Sequence, residues 1–303
     1  MYFSAKEMLA QLDGTDKRIC DLAIENEIEI FATTREEIFE KLEERYKIIE
    51  HDAHEALNKE IRSLSGLTGG SAQKMWAYYQ KGTCLCDDTI IRGAAYALSC
   101  LEVNASMGLI VAAPTAGACG ILPGALFTAA EKFDVPHEKV LEALATASAI
   151  GQLIVKNATV SGAEGGCQAE CGSAAAMAAG AIVEMLGGTP QQALDAGAIA
   201  LQNIMGLVCD PVAGLVEMPC AKRNASGVTN ALISADLSLS GIASEIPFDE
   251  VVEAMFKVGK ALPSSLRETA LGGIAATPTG AQMKNKIYGN DCSGDCAACG
   301  ACH

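Results

Sequence analysis

Between residues 163 and 224, cysteine falls three times at a turn broken by glycine or proline, and this stretch constrains the fold most. Cys167 ends Ala-Glu-Gly-Gly-Cys, Cys209 precedes Asp-Pro, and Cys220 follows Met-Pro. A cysteine on a turn can direct its sulfur into a shared space, whereas one on a helix face usually packs. We hypothesise that the three thiols hold one metal centre. Three buried cysteines near turns are the alternative.

The remaining sequence predicts an all-α fold. Apolar residues make up 50% of the 303 residues and aromatic residues only 5%, and the 30 glycines suit closely approaching helices. Helical periodicity recurs along the chain and no clear series of alternating strands is found. We predict an N-terminal helical arm over 1–62, one large catalytic domain over 63–288 and a Cys-rich tail over 289–303.

Two capping boxes mark predicted helix starts. The first, Thr34-Arg-Glu-Glu37, precedes apolar residues that recur at helical spacing as far as Ile61, which predicts one long amphipathic helix. The second is Ser265-Leu-Arg-Glu268. A further helix, rich in serine and alanine, is predicted over 226–245.

Charge and cysteine content limit the class of protein. The net charge of −15 argues against a nucleic-acid partner, because phosphate binding needs clustered Lys and Arg. No signal peptide is visible and no apolar run is long enough to span a membrane, so we expect a cytoplasmic protein. In that reducing compartment, the 13 cysteines indicate metal binding or redox chemistry rather than disulfides.

Two irregular segments are candidates for substrate binding. The Gly-rich loop that contains Ser65, Thr68, Gly69 and Gly70 precedes a predicted helix, and its backbone N–H groups suit a carboxylate. A plain flexible connection is an equally good interpretation of this loop. The segment 112–124, with two prolines and three glycines in an apolar region, is predicted to form a pocket wall.

Thiolate ligands with a missing fourth partner favour an iron–sulfur cluster over zinc. Catalytic zinc sites prefer histidine and carboxylate, and no histidine occurs between residues 138 and 302. A cluster held by three thiolates leaves one iron open to substrate, where it acts as a Lewis acid. The chemistry that follows is loss of water from a small hydroxy acid.

Four motifs together resemble the α subunits of iron–sulfur-dependent L-serine dehydratases. They are Ser161-Gly-Ala-Glu-Gly-Gly-Cys-Gln-Ala-Glu-Cys-Gly-Ser173, Val208-Cys-Asp-Pro-Val-Ala-Gly-Leu-Val-Glu-Met-Pro-Cys220, Ser65-Gly-Leu-Thr-Gly-Gly70 and Ala113-Pro-Thr-Ala-Gly-Ala-Cys-Gly120. The resemblance implies a 4Fe–4S cluster on Cys167, Cys209 and Cys220, with the serine hydroxyl on the open iron and pyruvate and ammonia as products. It does not require Cys171 as a ligand and leaves it as a spare thiol.

The resemblance also implies a partner, and polar residues beside apolar segments are candidate substrate contacts. Its catalytic histidine belongs to a β-type segment with a Ser-Ser-His-Thr-x-Gly motif, which this sequence lacks, so we expect a separate β subunit. A cysteine of the C-terminal tail, for which Cys302 is the candidate, is expected on the open iron. Asn104, Ser106 and Thr115 are expected to hold the amino or carboxylate group of serine. Lys222 and Arg223 are interpreted as a solvated pair, or as cations that offset the cluster's charge.

Other functions stay open at this point. An iron–sulfur L-cysteine desulfidase, or a related hydro-lyase, would use the same architecture on a different leaving group. A pyridoxal-phosphate dehydratase would need a Schiff-base lysine in a phosphate-binding context, which is not found. The terminal spacing C-x3-C-x2-C-x2-C, which begins at Cys292, raises a non-enzyme alternative, a cluster-carrying redox sensor.

Overall fold

The computed structural model describes residues 2–289, and the regular secondary structure in that range is helical. Two isolated β-bridges, Arg62 with Gly69 and Cys209 with Arg267, are the extended pairings found there. The all-α prediction is therefore confirmed for the part of the chain that the structure describes. The helices are α1 (Ala5–Leu12), α2 (Ile19–Phe31), α3 (Arg35–Glu55), α4 (Ser71–Gln80), α5 (Asp88–Ala105), α6 (Ile121–Lys132), α7 (His137–Asn157), α8 (Gly162–Gly165), α9 (Ser173–Met185), α10 (Pro190–Asn203), α11 (Cys220–Leu239), α12 (Phe248–Ala261) and α13 (Pro278–Tyr288).

Helix α9 lies at the centre of the fold. Its sequence, Ser-Ala-Ala-Ala-Met-Ala-Ala-Gly-Ala-Ile-Val-Glu-Met, is apolar on every face, and a helix of that kind must be surrounded. Helices α6, α7, α10 and α11 pack around it. Small side chains let these helices approach closely: a methyl group on Gly180 would lie 2.8 Å from the Ala193 carbonyl of α10 and would overlap Ile150 of α7. We call α7, α9 and α10 the scaffold.

The N-terminal helices pack on this scaffold through buried polar contacts as well as apolar ones. The carboxylate of Glu184, in the last turn of α9, accepts the backbone N–H groups of Ile19 at 2.7 Å and Cys20 at 3.1 Å. It therefore caps the positive N-terminal end of α2. Arg18 donates to Glu142 of α7 at 2.6 Å. Side chains from residues 1–62 and from residues 63–288 share one apolar core. The division into an arm and a domain at this boundary stays a prediction.

The first capping box is confirmed, but the length of its helix is not. Thr34 and Glu37 exchange both expected hydrogen bonds, and α3 then ends at Glu55 rather than near Ile61. The chain turns because Ala56 and Leu57 become buried, and the Ala56 N–H donates to Ser99 Oγ of α5 at 2.9 Å. Burial in this turn, rather than continued helix, explains the apolar residues beyond Glu55.

Two further helix predictions were wrong near the cysteines. The Ser265–Glu268 box begins no helix: residues Ser264–Leu266 form one 3-10 turn, and Glu268 has a left-handed φ of 63°. The helix predicted over 226–245 starts earlier, at Cys220, and ends at Leu239. Cys220 therefore occupies the first helical position rather than a turn.

No helix within residues 2–289 has the length and apolar character needed to cross a membrane. The Cys-rich tail predicted over 289–303, with Cys302 as a candidate ligand, lies outside the described residues apart from Gly289.

Candidate functional site

Cys167 follows a turn that only glycine can make. Gly166 has a left-handed φ of 75°, and a methyl group there would lie 2.8 Å from the Leu207 carbonyl. Cys167 then begins a five-residue π-helical turn, Gln168–Gly172, which leads directly into α9. The Gln168 N–H donates to Leu207 O at 3.0 Å. The turn that carries Cys167 is thus joined to the segment that leads to Cys209.

The side chain of Gln168 secures the same turn, and sequence analysis assigned it no role. It is buried, and its amide nitrogen donates to the carbonyls of Gly165 and Met255, both at 2.9 Å. Its amide oxygen accepts the Gly206 N–H at 2.8 Å. Its position next to Cys167 in the sequence is the feature that could have indicated this structural role. A glutamine that satisfies three backbone groups from separate segments fixes the π turn in place.

Cys209 and Cys220 are positioned by backbone and amide hydrogen bonds. The Cys209 N–H donates to Leu266 O at 2.9 Å, and its carbonyl accepts the Glu268 N–H at 2.7 Å. Cys220 follows the cis peptide between Met218 and Pro219. Asn224, one turn later, donates to Cys220 O at 2.9 Å and to Gly117 O at 2.7 Å. Asn224 therefore ties α11 to the predicted pocket wall.

Four buried cysteines from these segments form what we call the cysteine site: Cys167, Cys171, Cys209 and Cys220. The sulfurs of Cys167 and Cys171 are 3.3 Å apart. Hydrogen bonds from the thiols of Cys171 and Cys209 hold the pKa of Cys167 well below its ordinary value. Burial, followed by the negative charge on Cys167, raises the pKa of Cys220 to about 12. The predicted ligands Cys167, Cys209 and Cys220 are therefore brought into one region, and Cys171 joins them.

Glu170 is the carboxylate of the cysteine site. Its Oε1 accepts a hydrogen bond from Thr115 Oγ1 at 3.0 Å, and its Oε2 lies 3.8 Å from Cys209 Sγ. Burial, followed by the charge on Cys167, raises the pKa of Glu170 to about 7. A side chain at Gly162 would overlap both Glu170 and the Cys209 sulfur. Thr115, predicted as a substrate contact, holds Glu170 in this structure, and its contact with substrate stays a prediction.

A buried ion pair supports the turn after Cys209. Arg223 donates to Asp210 Oδ1 at 2.8 Å and to Val208 O at 2.9 Å, and it also hydrogen-bonds to Cys167. Asp210 is 2% exposed and accepts the Ile274 N–H at 2.8 Å through its other oxygen. The interpretation of Arg223 as solvated was therefore wrong, because it neutralises a buried carboxylate. Lys222 beside it is exposed.

A polar cavity of about 330 Å³ adjoins the N-terminus of α11. Thr68 and Gly69 of the Gly-rich loop form one wall, and residues 216–219, 221 and 222 form another. Thr68 Oγ1 donates to Glu217 at 2.7 Å and so connects the two walls. Val216 links the cavity to the cysteine site, because both it and Glu170 lie beside Gly117.

The other predicted substrate contacts have partners within the chain. Ser65 Oγ accepts the Leu67 N–H at 3.0 Å, Asn104 donates to Ala116 O at 3.2 Å, and Ser106 donates to Val103 O at 2.9 Å. Gly70 is the N-cap of α4, whose first N–H groups are already directed at the carboxylate of Glu102. These residues shape the loops around the cavity, and their contact with substrate stays a prediction.

The donor set of the cysteine site fits an iron–sulfur cluster. Within residues 2–289, no three His, Cys, Asp or Glu side chains converge as ligands of one metal ion do. A cluster demands something different, because each thiolate binds a separate iron and the ligands need only surround a shared space. Cys167, Cys209 and Cys220 are buried soft thiols on three separate segments, and Arg223 offsets negative charge beside Cys167, so the chemistry of the donor set suits a cluster.

Comparison with known proteins gives consistent matches. The family model described as "Serine dehydratase alpha chain" matches residues 14–275. A probable L-serine dehydratase alpha chain from Bacillus subtilis is 48% identical over 289 residues, which cover 95% of this chain and 96% of that protein. The L-serine dehydratase alpha chain of Peptoniphilus asaccharolyticus is 48% identical over 94% of this chain and 97% of its own length. The L-serine dehydratase of Mycobacterium tuberculosis is 36% identical over 90% of this chain but only 61% of its own length.

Proposed function

Because the chain belongs to the family of serine dehydratase alpha chains, we propose that it is the cluster-binding subunit of an L-serine dehydratase. The reaction is loss of water from L-serine, followed by release of ammonia to give pyruvate. The observation that carries the proposal is that three buried thiols from separate segments, Cys167, Cys209 and Cys220, interact with one another. A cytoplasmic location belongs to the same proposal.

Cys167, Cys209 and Cys220 would hold a 4Fe–4S cluster. When bound, such a cluster supplies a Lewis acid at the iron that has no cysteine ligand, and so weakens the bond from carbon to the serine hydroxyl. Arg223 offsets the negative charge of the thiolates from one side. The backbone bonds of Cys209 to Leu266 and Glu268 hold that thiol in position before any cluster is present.

The chain's own residues would bind and orient the amino acid. The cavity lined by Gly69 and Lys222 supplies backbone amide and ammonium groups for a carboxylate. Burial, followed by the charge on Cys167, raises the pKa of Glu170 toward neutrality, so this carboxyl group could hold or release a proton beside Cys209. We assign Glu170 the role of proton reservoir beside Cys209, with Thr115 fixing its orientation.

The proposal includes a β-type partner that carries the catalytic histidine. Two relatives carry "alpha chain" in their names, and the Mycobacterium tuberculosis relative extends well beyond the region that this chain matches. Both facts are consistent with a second segment, separate or fused, that completes the active site.

Activity assays of the anaerobically reconstituted protein test the proposal. The chain would be co-expressed with a β-type partner, and release of ammonia and of the 2-oxo acid would be compared for L-serine, L-threonine and L-cysteine. We expect turnover of L-serine, with Cys119→Ala as an active control, because that buried thiol lies outside the cysteine site. Faster turnover of L-cysteine would indicate a desulfidase instead. Iron binding without turnover of any of the three would contradict the dehydratase assignment.

A further inference from the structure

The cysteine site holds one thiol more than a three-thiolate cluster requires. Cys171 lies four residues after Cys167 on the same π-helical turn, and their sulfurs are 3.3 Å apart. Both side chains are only 2% exposed. The two sulfurs are in van der Waals contact, and the proposed dehydration reaction gives Cys171 no role.

The arrangement is close to that of a disulfide. Residues four apart on a helical turn share one face, and an S–S bond of about 2 Å would require the two sulfurs to move together by a little over 1 Å. Rotation of the two cysteine side chains can close that distance while the backbone of the turn, which Gln168 holds in place, stays where it is.

Other thiols of the site are less suited to pair with Cys167. Cys209 also hydrogen-bonds to Cys167, but its backbone is fixed by hydrogen bonds to Leu266 and Glu268, and its sulfur lies against Glu170 as well. Cys220 begins a twenty-residue helix whose first turn is held by Asn224. A bond from Cys167 to either residue would require two separate segments to move, whereas the bond to Cys171 stays within one turn.

We propose that Cys167 and Cys171 form an oxidative modification site, in which peroxide converts the pair to a reversible disulfide when no cluster holds Cys167. Hydrogen peroxide transfers one oxygen to the Cys167 sulfur, which gives a sulfenic acid and one water. The Cys171 sulfur then attacks that sulfur. The S–S bond forms, the S–O bond breaks, and the hydroxyl leaves with the Cys171 proton as a second water. The two thiols are oxidised by two electrons, and the peroxide is reduced.

The disulfide would protect the cluster ligand. A sulfenic acid with no neighbouring thiol is oxidised further to sulfinic acid, which dithiols do not reduce, whereas a disulfide is returned to two thiols by a dithiol. Cys171 would therefore act as a resolving thiol that keeps Cys167 available for cluster assembly. The inference rests on the proposed function only in taking Cys167 as a cluster ligand.

Peptide mapping of the full chain tests the inference directly. Cluster-free protein would be treated with hydrogen peroxide, alkylated, and cleaved after glutamate, which separates residues 165–170 from residues 171–184. We expect these two peptides to be joined by a disulfide in the wild type and in the control Cys20→Ala, whose buried thiol lies on α2. In Cys171→Ser the joined pair is lost, and Cys167 carries sulfinic acid. Cys171→Ala serves as a second variant, with circular dichroism to check that both fold.

Reassembly supplies the second readout. After dithiothreitol, the peroxide-treated wild type is expected to regain iron and sulfide on reconstitution, whereas Cys171→Ser regains little. Recovery of Cys167 unlinked, or linked to Cys209 or Cys220, would overturn the proposal, and so would equal recovery of iron by the wild type and Cys171→Ser. Iron content of the untreated anaerobic protein is measured separately. If that content is zero the cluster assignment fails, while the peptide map still decides whether the disulfide forms.

Discussion

Helix α9 is surrounded along its middle by alanine, glycine and aliphatic side chains, whereas the turn that precedes it lies among thiols, a carboxylate and a guanidinium. In the scaffold, Gly180 packs against Ile150 and the backbone of Ala193, and no polar side chain takes part in these contacts. In the cysteine site, Glu170 contacts groups from two other segments, and Arg223 donates to two groups of the segment that carries Cys209.

The difference shows how one chain combines a rigid interior with an irregular site. Close packing of small side chains stabilises the scaffold through the apolar area that it buries and through dispersion contacts. Such packing leaves no room for an added side-chain atom. The cysteine site depends instead on satisfied buried polar groups, because its backbone is too irregular to pair with itself. Substitutions in the scaffold should therefore lower stability through overpacking, and substitutions in the cysteine site should lower it through unpaired buried polar groups.

The largest expected effect comes from the ion pair of the cysteine site. Arg223→Gln leaves Asp210 charged, buried and without its cation, and removal of one partner of such a pair costs about 3–5 kcal/mol. We expect the free energy of unfolding, measured in urea, to fall by an amount near the lower end of that range, because Arg223 is 18% exposed.

A double variant separates lost charge from lost packing in this prediction. Arg223→Gln combined with Asp210→Asn removes both charges and should recover part of the stability, since an amide oxygen can still accept the Ile274 N–H. If Arg223→Gln alone unfolds at the same urea concentration as the wild type, then buried polar bonds do not stabilise the cysteine site. That result would contradict the proposed difference between the cysteine site and the scaffold.

A smaller loss of stability is expected for Gly180→Ala in the scaffold. The new methyl group would meet the backbone carbonyl of Ala193 and the side chain of Ile150, and overpacking of this kind costs about 1–3 kcal/mol. The matched comparison is Gly162→Ala, where the groups in the way are the side chains of Glu170 and Cys209 rather than backbone. We expect Gly180→Ala to unfold at a lower temperature than the wild type and to keep a normal iron content. We expect Gly162→Ala to unfold near the wild-type temperature and to bind less iron. The opposite pattern would contradict the comparison.

The smallest expected effect is a dependence on pH where the N-terminal helices meet the scaffold. The hydrogen bond from Arg18 lowers the pKa of Glu142 to about 2, below its ordinary value in an unfolded chain. The stabilisation is therefore present above about pH 4.5 and is lost as the pH falls toward 2. Arg18 is one-third exposed, so the contribution is under about 1 kcal/mol. Arg18→Gln should remove this part of the melting-temperature difference between pH 6 and pH 3, and an unchanged difference would refute it.

Much of the fold could be predicted from the sequence because its signals are local. The Thr34–Glu37 capping box and the apolar run of α9 each act through neighbouring residues, and the structure agrees with both. The end of α3 depends on burial of Leu57 against distant helices, which periodicity does not distinguish from helix. The Ser265–Glu268 pattern failed for a related reason, since after one 3-10 turn the Leu266 carbonyl and the Glu268 N–H bond to Cys209 rather than continue a helix.

The candidate site was only partly accessible from sequence. Turns placed Cys167, Cys209 and Cys220 together as a hypothesis, and the motif resemblance strengthened it. The burial of Arg223 and the bond from Thr115 to Glu170 depend on segments more than ten residues apart, so no local pattern indicates them. Contact between Cys167 and Cys171 was open to prediction from their i, i+4 spacing, but that requires knowing that both lie on one helical turn.

Iron and acid-labile sulfide per chain, measured after anaerobic reconstitution of Cys209→Ala and Cys119→Ala, test the central claim most directly. Both thiols are buried, but only Cys209 belongs to the cysteine site. The account predicts about four iron atoms per chain in the wild type and in Cys119→Ala, and loss of the cluster from Cys209→Ala while its helical content is unchanged. Equal iron in the two variants would contradict it.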